Sequence, residues 1–305
     1  MIISQVFGSK KYKISEVLIE EYGESIAFNV LKKTGPKNLS IASNDEDTLT
    51  LGVEACKRLL DKQSNGNLFF STIRNLFSVT ESPILLFPGN GTTIASEIKM
   101  SQDVSIFDIN AGCTGFVDAI RLSFGMSEPS LIVCSETYSK HWIKFNRAVS
   151  SLFSDAAAAT FFDPNEWNLL HSSGKYQQDT SLTISSPVGS PLNGEMRMAG
   201  KDVANFVSST VVPALKKILE EHSMIDRGYF HQGSLFVVEL LQSKLKDHFD
   251  SIPSNIIERG NSVSATLPIL INDDMQINPI KSGEKILIAG FGVGLSFSAC
   301  ILEKK

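Results

Sequence analysis

The stretch Val104-Ser105-Ile106-Phe107-Asp108-Ile109-Asn110-Ala111-Gly112-Cys113-Thr114-Gly115-Phe116 sets the reading of this chain. A strand-like run leads into small residues, then a thiol, then an apolar helical pattern through Val117, Ile120, Leu122 and Phe124. The spacing predicts a buried, central strand, a turn, and a helix from Gly112 with Cys113 in its first turn. Unpaired backbone N–H groups and the helix dipole at such a position favour thiolate over thiol. Ala111, Gly112 and Gly115 leave room for a substrate beside the sulfur. The same pattern also suits a small buried hydrophobe, the reading given to Cys56, Cys134 and Cys300. A helix apolar on nearly every side belongs in the middle of a large domain.

The rest of the chain is consistent with that setting. Its 305 residues, 42% hydrophobic, give ample length for a large core in one domain or two packed halves. Mean hydropathy is +0.04, and no apolar run reaches the about 18 residues that span a bilayer. The amino end, Met1 to Phe7, reads as a first strand and lacks the charged region and cleavage site of a signal peptide. Four scattered cysteines, none in a CxxC pair, argue against a disulfide framework and against a zinc site. The expected compartment is therefore the cytoplasm, with no metal, no membrane and, at a net charge of −5, no nucleic-acid partner.

Strand-like and helix-like segments alternate, which predicts α/β layering. Asn67 to Thr72, Val104 to Ile109 and Leu131 to Cys134 read as buried strands, and Asp47 to Asp61 as an amphipathic helix. The second half repeats the grammar, with helical patterns at Lys201 to His222, Gly233 to Phe249 and Ser264 to Ile271. Lys285 to Phe291 and Leu295 to Leu302 read as a terminal hairpin around Gly292-Val293-Gly294. Asp163-Pro164-Asn165 and Ser172-Ser173-Gly174 mark the break, giving an N-terminal half of 1–163 and a C-terminal half of 164–305.

Three further segments place polar groups in apolar surroundings. Tyr229-Phe230-His231-Gln232-Gly233 puts a histidine after a short strand, where a lone histidine is more commonly structural. Arg259-Gly260-Asn261-Ser262 precedes a helix, and alone reads as an ordinary turn asparagine. Gly290-Phe291-Gly292-Val293-Gly294 can present backbone N–H groups to a developing oxyanion. It precedes a strand, not a helix, which argues against a dinucleotide fingerprint.

Taken in order, cysteine at a helix start, His-Gln after a strand, Gly-Asn before a helix and a glycine hairpin resemble the ketoacyl-ACP synthase III family. This is the initiating condensing family of the thiolase superfamily. The resemblance runs over nearly the whole chain. It includes Phe153-Ser154-Asp155-Ala156, Met198 to Val203, Gly260-Asn261-Ser262 with Pro268 following, Thr34-Gly35 and Phe87-Pro88. It implies an α/β, thiolase-like, duplicated five-layer αβαβα fold and a homodimer joined through the amino-terminal halves.

The implied enzyme is an acyltransferase with no bound cofactor, fed by acyl-CoA or acyl carrier protein thioesters. Cys113 would hold the acyl group, and the oxyanion would sit on the N–H groups of Cys113 and Gly294. His231 and Asn261 would stabilise the enolate formed by decarboxylation of a malonyl thioester. Phe87, Arg147 and Lys33 fall at substrate-binding positions, Phe87 in the partner subunit's tunnel.

Several positions depart from the family pattern. Asn29 replaces an adenine-stacking tryptophan and Lys33 an arginine. Gly233-Ser234 replaces Ala-Asn, and Phe236 replaces an arginine implicated in carrier docking. These changes leave the chemistry and alter the approach to it, which implies a specialised lipid or polyketide-type pathway. Two alternatives stand beside this reading. One is a starter acyltransferase that passes the acyl group to an alcohol or amine; the other is a non-catalytic partner subunit.

Overall fold

The computed structural model describes residues 1–62, 71–141, 146–180, 183–186, 196–222 and 224–305. Two five-stranded sheets organise the chain. The first is built from β1 (Ile2–Phe7), β2 (Asn75–Val79), β3 (Ser105–Ile109), β4 (Ser130–Glu136) and β5 (Ala156–Phe162). Their spatial order is β1-β5-β4-β2-β3. The second comprises β6 (Trp167–Tyr176), β7 (Ile225–Phe230), β8 (Phe249–Ser251), β9 (Lys285–Gly292) and β10 (Ser296–Lys304). Its order is β8-β7-β9-β10-β6.

The duplication is visible in the pairing. From the edge at β1 the ladder runs antiparallel, antiparallel, parallel, parallel. From the edge at β6 the second sheet runs through the same sequence of senses. The chain leaves the first sheet at Phe162 and joins the second at Trp167, through a 3-10 turn at Pro164–Glu166. Ser172 to Gly174, read as a break, instead lies inside β6 and pairs with β10. Serine and glycine there suit a strand whose residues mostly face solvent.

Helices fill the three remaining layers. Helix α1 (Thr48–Asp61) and α2 (Asn90–Glu97) cover the outer face of the first sheet. Helix α3 (Gly115–Met126) packs on strands of both sheets, against β2, β4, β9 and β10. On the outer face of the second sheet lie α4 (Val212–Glu220) and α5 (Leu235–Leu245). Helix α6 (Thr266–Ile277) joins α3 in the central layer, touching β1, β5 and β7. The result is the αβαβα stack. Burial explains why α3 looks apolar on nearly every side: Phe116, Val117 and Ile120 on it are enclosed, as are Leu267, Ile269 and Ile271 on α6.

Local boundaries differ from the sequence expectations for identifiable reasons. Residues 67–70 of the expected first strand lie outside the described residues, Ser71 and Thr72 are not in a strand, and the strand is Asn75–Val79. Strand β3, expected at the centre of the sheet, is its edge, with Phe107 38% exposed. Strand order depends on which strands pair, and apolar content alone does not decide that. The helical run after Gly200 carries a π turn at Val207–Val211 just before Pro213, which has no N–H to donate to the ladder. The next helix starts at Leu235, capped by the Ser234 hydroxyl accepting from Val237 N, and stops before Phe249 enters β8. The last expected helix extends well beyond Ile271, to Ile277.

Candidate active site

The ends of β7 and β9, the segment after β4 and the turn before α3 converge on one cavity of about 470 Å³. Cys113, His231 and Asn261 all line it. Its walls are otherwise largely apolar, with Leu152, Phe153, Val203 and Val207 among them. Lys33, Lys201 and the half-exposed Phe236 stand at its outer rim.

Cys113 is 8% exposed and lies two residues before Gly115, the first residue of α3, not within its first helical turn. The Gly115 N–H donates to Gly112 O at 3.0 Å, so Gly112 to Thr114 form a tight turn. Burial, followed by the Glu81 carboxylate, pushes the thiol above its ordinary value. Hydrogen bonds from the backbone N–H groups of Val293 and of Cys113 itself act against this. The helix terminus therefore does not by itself produce a thiolate. Enclosure removes the water that would solvate it, and the Glu81 carboxylate repels it.

The hairpin passes directly over the sulfur. A Cβ built on Gly292 would lie 2.5 Å from Cys113 Sγ, and one on Gly290 2.2 Å from Cys113 O. Only glycine allows that approach. The N–H beside the sulfur belongs to Val293, where the resemblance pointed to Gly294. Val293 and Gly294 lie in the turn between β9 and β10, and Gly294 lies outside the cavity lining, with its carbonyl accepting from Thr180 Oγ1 at 3.0 Å. Gly292→Ala is expected to lower stability by about 1–3 kcal/mol through overpacking. It should also slow modification of Cys113 at least tenfold, measurable by thermal unfolding and by intact mass after alkylation.

His231 follows β7 and extends its ladder, its N–H donating to Ala289 O at 2.9 Å. Its ring packs edge-on against Phe291 at 5.7 Å. Burial lowers its pKa to about 3, so the imidazole is neutral at pH 7. Nδ1 is buried with no hydrogen-bond partner among the described residues.

Asn261 is fixed from both sides. Its backbone N–H donates to Leu152 O at 3.0 Å, and its carbonyl accepts from Ser154 N at 2.9 Å. Its Oδ1 accepts from Val263 N at 2.8 Å and Thr266 Oγ1 at 3.2 Å. The amide oxygen is thereby committed, and Nδ2, which donates to Gly233 O at 3.3 Å, keeps a second N–H. Val263 adopts φ +51°, unusual for a β-branched residue, right beside this amide. Gln232 serves structure: its Oε1 accepts from Ser254 Oγ at 2.8 Å and its Nε2 donates to Phe230 O at 2.8 Å.

The family models described as 3-oxoacyl-[acyl-carrier-protein] synthase III match residues 107–175, and for its C-terminal part residues 215–304. Together they span more than half of the chain. The chain belongs to the 3-oxoacyl-[acyl-carrier-protein] synthase III family. Relatives of that name from Clostridium novyi and Campylobacter curvus are 27% and 28% identical. Each alignment covers 90% of this chain, with 89% and 87% of the respective relative. The synthase III structure from Thermus thermophilus superposes with a TM-score of 0.85 at 19% identity, over 99% of this chain and 98% of that one. A priming ketosynthase of a polyketide pathway does so at 0.83 and 21%, over 99% and 95%. These structures establish the thiolase fold, and the family identifies the chain as an acyltransferase of the condensing type.

The other residues assigned through the synthase III resemblance are more scattered. Lys33 is exposed at the cavity rim. Arg147 is exposed, does not line the cavity, and holds its guanidinium 6.0 Å from the Tyr22 ring centroid. Phe87 is 81% exposed and outside the cavity of its own chain. Asn29 is exposed and donates to Ser25 O within its own helix.

Sequence reasoning missed Glu81, Glu136 and Tyr138. Glu136 ends a buried strand and Glu81 and Tyr138 follow one, in Val79-Thr80-Glu81 and Cys134-Ser135-Glu136-Thr137-Tyr138, and a carboxylate at the end of an apolar run was the available signal. Glu136 is 0% exposed and accepts from Ser82 Oγ at 2.8 Å, Ser264 Oγ at 2.6 Å and Thr80 Oγ1 at 3.2 Å, tying the two halves together. Burial pushes its pKa from the ordinary 4.5 to about 8. The folded state therefore binds a proton that the unfolded state loses, and stability falls as pH rises from about 4.5 to about 8. Glu136→Gln should flatten that part of a plot of unfolding midpoint against pH. Identical slopes in wild type and variant would mean Glu136 is already ionised.

Proposed function

We propose that Cys113 takes an acyl group from a thioester and that the acyl-enzyme then undergoes decarboxylative Claisen condensation with a malonyl thioester. The observation that carries this is the pair of neutral donors on the cavity wall shared with the thiol. Asn261 has its oxygen committed and an N–H to spare, and His231 is uncharged. During acylation the tetrahedral oxyanion is held by the N–H groups of Cys113 and Val293, which already converge on the sulfur. In the second step CO2 leaves the malonyl thioester and its enolate oxygen sits between His231 and Asn261. The enolate carbon attacks the acyl-cysteine carbonyl and expels the Cys113 thiolate. Preorganised donors in an apolar, water-poor site suit a charge that develops on one oxygen.

The proposal extends to context. Lys33 and Lys201 at the rim suit an anionic donor, a carrier protein or a coenzyme A thioester. The altered cavity positions Lys33, Ser234 and Phe236, with Asn29 on the helix that carries Lys33, support a specialised lipid or polyketide-type pathway. The exposed edge strand β3 and exposed Ile84, Leu86 and Phe87 support a homodimer with Phe87 reaching a partner. The halves divide at 163/164, and the site draws on both. Among the described residues no helix is long and apolar enough to cross a membrane. Acylated protein supplied with labelled malonyl-carrier protein tests the chemistry. Labelled CO2 and a ketoacyl product are expected. No release with any malonyl donor, alongside transfer to an alcohol or amine, would replace condensation by starter acyl transfer.

A further inference from the structure

The condensation above leaves two groups near the nucleophile without a task. Glu136 is occupied as a neutral, fully buried strut, but Glu81 rests on the turn that carries Cys113 and Tyr138 lines the cavity with the thiol. The Glu81 carboxylate accepts the Gly112 N–H and the Tyr138 hydroxyl. A Cβ built on Gly112 would lie 2.3 Å from Glu81 Oε2, so the carboxylate rests on the backbone that carries Cys113. The Tyr138 side chain lines the cavity with Cys113 and packs on Phe153 at 5.1 Å between centroids.

The thiol has to lose a proton as it attacks, and the departing sulfur has to regain one. His231 is a poor place to keep that proton: with a pKa of about 3 it is protonated in roughly one molecule in 10⁴ at pH 7. Resting on the acyl-cysteine reading, we propose that Glu81 is the proton acceptor for Cys113, reached through the Tyr138 hydroxyl. The thiol proton passes to the Tyr138 oxygen as the Tyr138 proton passes to Glu81. The sulfur lone pair forms the new C–S bond, and the carbonyl π pair moves onto the oxygen. When the tetrahedral species collapses, the old C–S bond breaks and the departing sulfur takes the proton back by the same route. Acyl thioester plus cysteine thiol gives acyl-cysteine plus free thiol, with Glu81 and Tyr138 restored.

Charge in the site supports the assignment. Burial raises Glu81 toward its protonated form and holds Tyr138 well above its ordinary value, so the phenol relays a proton without becoming a phenolate. The titratable groups around Glu81 are Cys113, Tyr138 and Glu136, with His231 also on the cavity wall. Glu81 and Cys113 cannot both be charged at low cost, so above the Glu81 ionisation one negative charge is shared between them.

Two reactions of Cys113 separate the roles. Alkylation by iodoacetamide needs only the thiolate, whereas acylation by an acyl-CoA also needs the proton returned. Both are followed by intact mass across pH for wild type, Glu81→Gln and Tyr138→Phe. Wild-type alkylation should rise with pH and level off once Glu81 ionises. Glu81→Gln should keep rising and exceed wild type at pH 9 by about tenfold or more. At pH 7 the ratio of acylation to alkylation should fall about 10²-fold in Glu81→Gln. Tyr138→Phe should lower the same ratio while keeping the levelling, and it carries the test if Glu81→Gln does not fold. Parallel pH profiles with an unchanged ratio overturn the proposal. A wild type that accepts no acyl group from any thioester overturns the acyl-cysteine reading instead, and the alkylation profiles then decide whether Glu81 and Cys113 share a proton.

Discussion

Cys113→Ala protein incubated with acyl-CoA and acyl carrier protein thioesters gains no acyl mass, and condensation falls by a factor of at least about 10⁴. The expectation rests on position. The Cys113 sulfur lies under the β9–β10 hairpin with two backbone N–H groups aimed at it, at the wall of the cavity. Cys56, Cys134 and Cys300 are completely enclosed in the core. None lines the cavity. The fold should survive the substitution, because alanine removes one sulfur from a site already open to the cavity. Intact mass and peptide mapping read the result. An adduct of undiminished size in Cys113→Ala, located on any of the other three cysteines, would show the nucleophile to be elsewhere.

Asn261→Ala and His231→Ala should retain acylation of Cys113 while CO2 release from a malonyl thioester falls about 10²–10³-fold for each. Both residues are placed to hold an enolate oxygen, which exists only after acylation. Asn261→Ala also releases Val263 N and Thr266 Oγ1, so about 1–3 kcal/mol of stability should go with it. Asn261→Asp keeps an acceptor for Val263 N and Thr266 Oγ1 but sets an oxygen, not an N–H, against Gly233 O in a buried site, so neither stability nor CO2 release should recover. If CO2 release survives in Asn261→Ala at the wild-type rate, that residue holds no enolate.

The order of chemistry along the chain is legible in the amino-acid sequence itself. A thiol at a strand-to-helix turn, His231 after a strand, Asn261 before a helix and a glycine hairpin each reflect local backbone demands that a sequence carries openly. Layering is legible for the same reason, since α3 is apolar on nearly every side and a central layer hides such a helix. Boundaries are less so. Pro213 hides a π turn inside one helical pattern, and a strand with mostly solvent-facing residues passes for a break at Ser172 to Gly174.

Three matters are decided only by tertiary packing. Strand β3 is an edge because ladder order depends on long-range pairing, which the hydrophobicity of one segment does not record. Val293, not Gly294, turns its N–H to the sulfur, because both lie in the turn between β9 and β10 and only the seating of that turn over Cys113 selects the residue. The electrostatic state of the thiol is set across the fold. Glu81 and Glu136 come from segments well before and after Cys113, and Ser264, which holds Glu136, comes from the other half. A local motif can place a cysteine at a helix start, but Coulomb interactions act through space, so what protonates or ionises that cysteine is settled by whichever buried charges the fold brings beside it.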